Sequence, residues 1–178
     1  MTPPVRTLVL GTIPDRSEAA LLVALAARGV RLAAFFEPRA QRLDDLRAAG
    51  IAIDTVTLAE RERDEESALL AARLAGFSPH VVHVLRSRSL RLLRRAGGRT
   101  WPPTVFYRGT IESPRWWSPS DRRKYFDPRI RRFVAVSEAV RSALVGGGID
   151  PARVVTIRKG HDPAWYEAPA FDRGTLAG

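Results

Sequence analysis

The feature that most constrains this chain is an alternation. Short apolar runs rich in β-branched residues recur along it, and each is followed by a segment with helical spacing. Val5–Leu10 is the first run, followed by a predicted helix over Ser17–Arg28 that Ser17 can cap, with Leu21, Leu22 and Leu25 as its buried stripe. Val30–Phe36, Ile51–Leu58 and Val81–Leu85 read as the next strands. Between them, Ala40–Ala49 and Glu62–Ala75 read as helices stopped by Gly50 and Gly76. A basic helix over Ser87–Ala96 follows, stopped by Gly97-Gly98, and Thr104–Tyr107, Phe133–Val136 and Val154–Ile157 complete a set of seven strands. Strand starts lie roughly 20–30 residues apart, the length of a βα unit. Runs as apolar as Val81-Val82-His83-Val84-Leu85 suit a parallel sheet covered on both faces. The expectation is a Rossmann-like, doubly wound α/β domain over residues 1–166, with residues 167–178 as a tail or the start of a linker.

One stretch departs from the alternation. Between Tyr107 and Phe133 lies a long irregular excursion containing Trp116-Trp117 and then a short helical piece. Open α/β sheets place their ligands beyond the carboxyl ends of the strands, where this excursion begins. The tryptophans read either as a sugar-stacking platform or as core aromatics folded under the loop.

The remaining composition narrows the chemistry. The chain has no cysteine, which removes thiol catalysis, cysteine-zinc sites and disulfides together. Its histidines, His80, His83 and His161, lack metal-cluster spacing, and neither a D-x-D acid pair nor a G-x-S-x-G elbow is present. There is no G-x-G-x-x-G either. The first strand runs into Gly11-Thr12-Ile13-Pro14-Asp15-Arg16-Ser17-Glu18, whose acids suit a helix N-terminus but repel a phosphate placed there. His83 sits inside an apolar strand and reads as a core histidine. The net charge of +10 is almost wholly arginine. Such a balance fits either solvated arginines or a bias toward anionic partners. Arg86, Arg88, Arg91, Arg94 and Arg95 cluster at the start of the fourth helix and along it, and are candidates for an anionic membrane surface. Nucleic-acid binding has only the charge in its favour, since no helix-turn-helix, RNA-recognition or zinc-finger signature is visible. The segment Met1–Arg6 lacks the basic start and apolar stretch of a secretory signal, and the apolar run Leu21–Ala27 is far short of the ~20 residues that span a bilayer. A cytoplasmic protein, at most peripheral on the inner face of the membrane, is expected.

Late in the chain the residues become specific as a set. Phe133-Val134-Ala135-Val136-Ser137-Glu138-Ala139-Val140-Arg141, then Gly148-Ile149-Asp150-Pro151, then Lys159-Gly160-His161-Asp162, resembles the end of the N-terminal domain of family-4 glycosyltransferases. Upstream, Asp15-Arg16-Ser17-Glu18-Ala19, Pro79-His80-Val81-Val82-His83 and Tyr107-Arg108-Gly109-Thr110 fall where that family has matching elements, so the resemblance spans about residues 5–166 in consistent order. It implies one half of a GT-B enzyme, in which two Rossmann-like domains face each other across a cleft. In that family the N-terminal domain mainly holds the acceptor. The C-terminal domain binds the nucleotide-sugar and carries a pair of glutamates. Most members retain the anomeric configuration and need no bound metal. The resemblance therefore implies a nucleotide-sugar co-substrate, no bound cofactor, and a C-terminal GT-B domain in cis or as a separate chain. It places Asp15, Arg16, Arg108, Gly109, Thr110 and, in the loop, Trp116 on the acceptor side. Ser137, Glu138, Lys159 and Gly160 fall on the rim near the donor phosphates, and Arg108 and His161 are the catalytic candidates.

The chain departs from the family's pattern at two positions. Its first turn is sparse in glycine, and many relatives carry a histidine where this chain has Arg108. An arginine is permanently charged and cannot act as a general base, but it can clamp an anionic acceptor or offset charge developing on a leaving phosphate. The expected activity is sugar transfer from a nucleotide-sugar to a cell-envelope glycan or lipid-linked acceptor, with this half inactive alone. The alternative is a non-catalytic basic module docking on an anionic membrane or a separate catalytic subunit.

Overall fold

The computed structural model describes residues 3–57, 64–98 and 101–166. They form seven strands: β1 (Arg6–Leu10), β2 (Arg31–Phe36), β3 (Ala52–Thr55), β4 (Val81–Val84), β5 (Thr104–Arg108), β6 (Ile130–Ala135) and β7 (Val154–Thr156). Between them run six helices: α1 (Arg16–Ala27), α2 (Leu43–Ala48), α3 (Asp64–Phe77), α4 (Ser87–Gly97), α5 (Pro119–Tyr125) and α6 (Glu138–Gly146). The strands make a single sheet in the order β3-β2-β1-β4-β5-β6-β7, and every neighbouring pair is parallel. The expected architecture is therefore present. The expected end of the third strand at Leu58, the start of the third helix at Glu62 and the tail 167–178 lie outside the described residues.

Two apolar layers hold the sheet. On one face Ala19 and Leu22 of α1 and Leu43 and Leu46 of α2 pack against Val9, Ala34 and Phe36. On the other, Leu70 of α3, Leu90 and Leu93 of α4, Tyr125 of α5 and Leu144 of α6 bury Leu8, Val82, Phe106 and Phe133. The division follows from strand pleating, which sends successive side chains to opposite faces. The strand order reverses between β1 and β4, so the crossovers diverge there and leave a crevice beyond the strand ends.

Two details of α1 differ from the expectation. Asp15, not Ser17, is its N-cap: the Asp15 carboxylate accepts the Ser17 and Glu18 backbone N–H groups, and the Glu18 carboxylate accepts the Asp15 N–H. That reciprocal pair is a capping box, which leaves fewer orphan donors than a lone serine would. Leu21 is 49% exposed while Leu22 is buried, so the buried stripe is narrower than expected. The sixth strand also begins earlier, at Ile130, with Arg131 and Arg132 exposed along it. No helix among the described residues is long and apolar enough to cross a membrane.

Candidate functional site

A cleft of about 810 Å³ opens at the carboxyl ends of β4, β5 and β6, beside the α1 N-terminus. Its first wall belongs to α1. Gly11 ends β1 with a side-chain position that lies 2.7 Å from the Phe36 ring and 3.1 Å from Leu85, so the lone glycine of this turn answers to core packing. Glu18, only 5% exposed, accepts from Arg86 Nη1 at 3.0 Å and lies 3.9 Å from Lys159 Nζ. Lys159 also donates to the Asp15 carboxylate. Partial burial would raise the Asp15 carboxyl, but the Lys159 ammonium and the helix N–H groups outweigh it and hold it below its ordinary value. The Lys159 ammonium is raised, its own burial being outweighed by Asp15 and Glu18. The helix N-terminus is thus filled by the chain's own carboxylates, as its acids implied.

The second wall is built on Arg108, at the end of β5. Its side chain is almost wholly buried, lying 5.2 Å from the Phe106 ring centroid and 5.6 Å from that of Tyr125. Nη1 donates to Ser87 Oγ at 3.2 Å, and Nη2 donates to Thr110 Oγ1 at 3.2 Å and is ion-paired with Glu112 Oε1 at 2.8 Å. Nε has no partner among the described residues. Glu112 in turn accepts from Lys124 at 2.7 Å and from the Tyr125 hydroxyl. Its burial would raise the carboxyl, but the Lys124 and Tyr125 hydrogen bonds and the Arg108 charge outweigh it and hold the group at about 2. Burial and the bond to Glu112 push the Tyr125 phenol well above its ordinary range. The loop that carries Glu112 is seated on α6: a side chain at Gly147 would meet the Pro114 backbone nitrogen at 2.6 Å and its oxygen at 2.7 Å.

The structure divides the residues expected from the sequence. Arg108, Gly109, Thr110, Ser137 and Lys159 line the cleft. Ser137 caps α6, accepting from the Val140 N–H at 3.3 Å. Asp15, Arg16 and His161 line a smaller depression of about 260 Å³, which meets the cleft at Lys159. There the Arg16 guanidinium lies 4.8 Å from the Trp165 ring and donates to the Trp165 carbonyl, while His161 meets the same ring edge-on. Glu138 and Gly160 are exposed and line neither depression. Trp116 and Trp117 are each 65% exposed, packed edge to face on one another and outside the cleft lining, so they are not core aromatics. His83 is half-buried in β4, where desolvation lowers its pKa to about 4 and its Nε2 has no partner among the described residues. It does not line the cleft. Sequence reasoning missed Ser87 and Glu112 as cleft residues. Glu112 had a signal, since it stands four positions after Arg108. Ser87 had none, being one more residue at the start of a basic helix.

A strand-end cleft bounded by a capped helix and a buried arginine agrees with the sequence resemblance, and a family model decides the matter: the Glycosyltransferase Family 4 model matches residues 16–165. The chain belongs to glycosyltransferase family 4. No curated protein matches it in sequence. Solved structures share the fold of this family-4 chain at low identity. A glycosyltransferase from Rickettsia africae ESF-5 is 15% identical with a TM-score of 0.73, the match covering 98% of this chain and 48% of that one. Anabaena Alr3699/HepE, solved with UDP and glucose, is 17% identical with a TM-score of 0.67, covering 97% and 49%. MurG of Acinetobacter baumannii is 8% identical with a TM-score of 0.58, covering 96% and 50%. The family-4 chain therefore spans about half the length of the solved structures it matches.

Proposed function

We propose that this chain is the acceptor-binding half of a GT-B glycosyltransferase that moves a sugar from a nucleotide-sugar to a cell-envelope glycan or lipid-linked acceptor. The observation that carries the reading is the pair of cleft walls. One is an α1 N-terminus already filled by Asp15 and Glu18, and the other presents the buried Arg108 guanidinium. A helix N-terminus is the usual seat of a nucleotide diphosphate in such folds. With that seat taken, the cleft favours a hydroxyl-rich ligand held by Ser137 and Thr110 and oriented by Arg108. The coverage of about half of the matched structures supports a partner C-terminal domain, in cis or as a separate chain, that binds the donor. In the complete enzyme the chemistry is metal-independent and retaining. Arg108 orients the acceptor and contributes a fixed positive charge, and positioned charges stabilise the departing nucleotide. His161, which meets the Trp165 ring edge-on in the smaller depression, is assigned with Lys159 to the donor-side rim.

The test is turnover. Rigorously purified chain incubated with UDP-, GDP- and ADP-sugars should release no nucleotide, while the chain joined to a donor-binding C-terminal domain should do so in the presence of acceptor. Nucleotide release by the chain alone would overturn the reading.

A further inference from the structure

A second depression, of about 660 Å³, runs between α4 and α5, and it meets the main cleft at Ser87. Five cations line it: Arg91, Arg94 and Arg95 on α4, and Arg123 and Lys124 on α5. Among the described lining residues the acid is Asp121, whose carboxylate accepts the Arg115 N–H at 3.0 Å and lies 3.5 Å from Arg115 Nε.

Asp64 answers Arg95, but the other two acids beside the groove do not neutralise it, because each serves two cations. Asp127 accepts from both Arg94 and Arg129 at 2.7 Å, and Glu112 is shared by Lys124 at 2.7 Å and Arg108 at 2.8 Å. Each trio therefore keeps one positive charge. Arg123 makes no ion pair among the described residues, and its exposed guanidinium adds to the excess. The groove is also held in shape. Arg94 Nη1 bridges the helices by donating to the Arg123 carbonyl and to Asp127. Buried Leu90 forms the floor.

Its position relative to the cleft fixes what it can serve. Ser87 faces both depressions and accepts from Arg108, the residue that orients the cleft's ligand. Arg91 follows one helical turn later, ~6 Å along the axis, and Arg94 and Arg95 a turn beyond. A ligand entering the cleft beside Ser87 therefore meets a line of cations as it leaves. Fixed arginine forks in a partly enclosed site suit phosphate oxygens.

We propose that the α4–α5 groove is the phosphate-binding arm of the acceptor site. It takes the phosphate or diphosphate ester of a glycosyl acceptor whose sugar enters the cleft at Ser87. The inference rests on the acceptor-side reading above and adds the chemical class of that acceptor. It also redistributes the five arginines grouped in the sequence. Arg91, Arg94 and Arg95 line the groove, Arg86 is drawn into the cleft by Glu18, and Arg88 lines neither depression.

The test uses isotope-labelled full chain titrated with inorganic diphosphate at fixed ionic strength, with inorganic phosphate in parallel. Diphosphate should give saturable amide shifts confined to residues 87–95 and 120–124. An R91Q/R123Q double substitution, at two exposed positions, should weaken binding about tenfold or more while leaving the rest of the spectrum in place. R91K/R123K keeps the charges and should retain part of the affinity, which separates loss of recognition from loss of fold. Three results would each overturn the proposal. One is shifts that never saturate and spread over the whole arginine surface. Another is equal binding by R91Q/R123Q. The third is binding to vesicles containing phosphatidylglycerol that diphosphate does not displace, which would make the groove a membrane contact. Simple glycosides that leave the amides of residues 107–110 unmoved would count against the acceptor-side cleft without altering the diphosphate result, so the two readings fail separately.

Discussion

The two walls of the cleft are both dense in charge, yet they solve opposite problems. On the α1 wall two acids, Asp15 and Glu18, meet two cations, Lys159 and Arg86, and every charge is answered within the wall. On the β5–α5 wall a single acid, Glu112, answers both Arg108 and Lys124. The first arrangement closes a helix end and leaves nothing over for a ligand. The second leaves a positive excess at a buried position, where water screens it least. The difference teaches that net charge is a poor guide to this molecule. A surplus of +10 is spread widely, but it acts where acids are outnumbered beside a cavity.

The sharpest way to break the contrast is Gly147→Ala. The new methyl would press on the Pro114 backbone, which cannot swing aside as a flexible side chain does. We expect a loss of about 2 kcal/mol in denaturant unfolding and displacement of the loop that brings Glu112 to Arg108. An unchanged midpoint would mean the loop is not seated as described. Next is Asp15→Ala, which removes the α1 cap and the partner of Lys159 and should cost about 1 kcal/mol. Asp15→Asn should recover most of that loss by keeping the cap, and equal losses in the two variants would show that the ion pair, not the cap, holds this wall.

Glu112→Gln tests the other wall and carries a pH signature. The folded carboxyl lies near 2, below its ordinary 4.5, so its contribution is complete above the unfolded value and is lost as pH falls toward 2. Because Glu112 is 44% exposed, solvent screening keeps its worth below about 1 kcal/mol. The stability difference between the chain and Glu112→Gln should therefore be level from pH 7 to 5 and shrink below 4.5; a difference that grows on acidification would reverse the assignment. The smallest effect belongs to Trp116→Ala. Its side chain is exposed, so unfolding should change by no more than about 0.5 kcal/mol, and a larger loss would place the tryptophan in a packed environment.

The same contrast explains what could be read from the sequence. The strands were legible because burial on both faces of a parallel sheet demands continuous apolar runs, as in β4. The α1 wall was legible in part: Asp15 and Glu18 stand at capping-box spacing, although Ser17 is an equally good cap by type. Nothing local distinguishes an exposed Leu21 from a buried Leu22 on a helix rich in alanine. The β5–α5 wall was the least legible. Arginine is ordinarily exposed, and Arg108 is buried only because Glu112, Tyr125 and Ser87 converge on it from three separate segments. The groove joined to the cleft at Ser87 depends on how two helices pair across an irregular loop, which no spacing rule encodes.

The most direct measurement is a titration of isotope-labelled chain with UDP-, GDP- and ADP-sugars at millimolar concentration, following the amides of Gly109, Ser137 and Gly160. The account predicts no saturable shift there beyond whatever inorganic diphosphate alone produces, because the donor is bound by the other half of the enzyme. A nucleotide-sugar that saturates those amides would place the donor site in this chain and contradict the acceptor-side assignment.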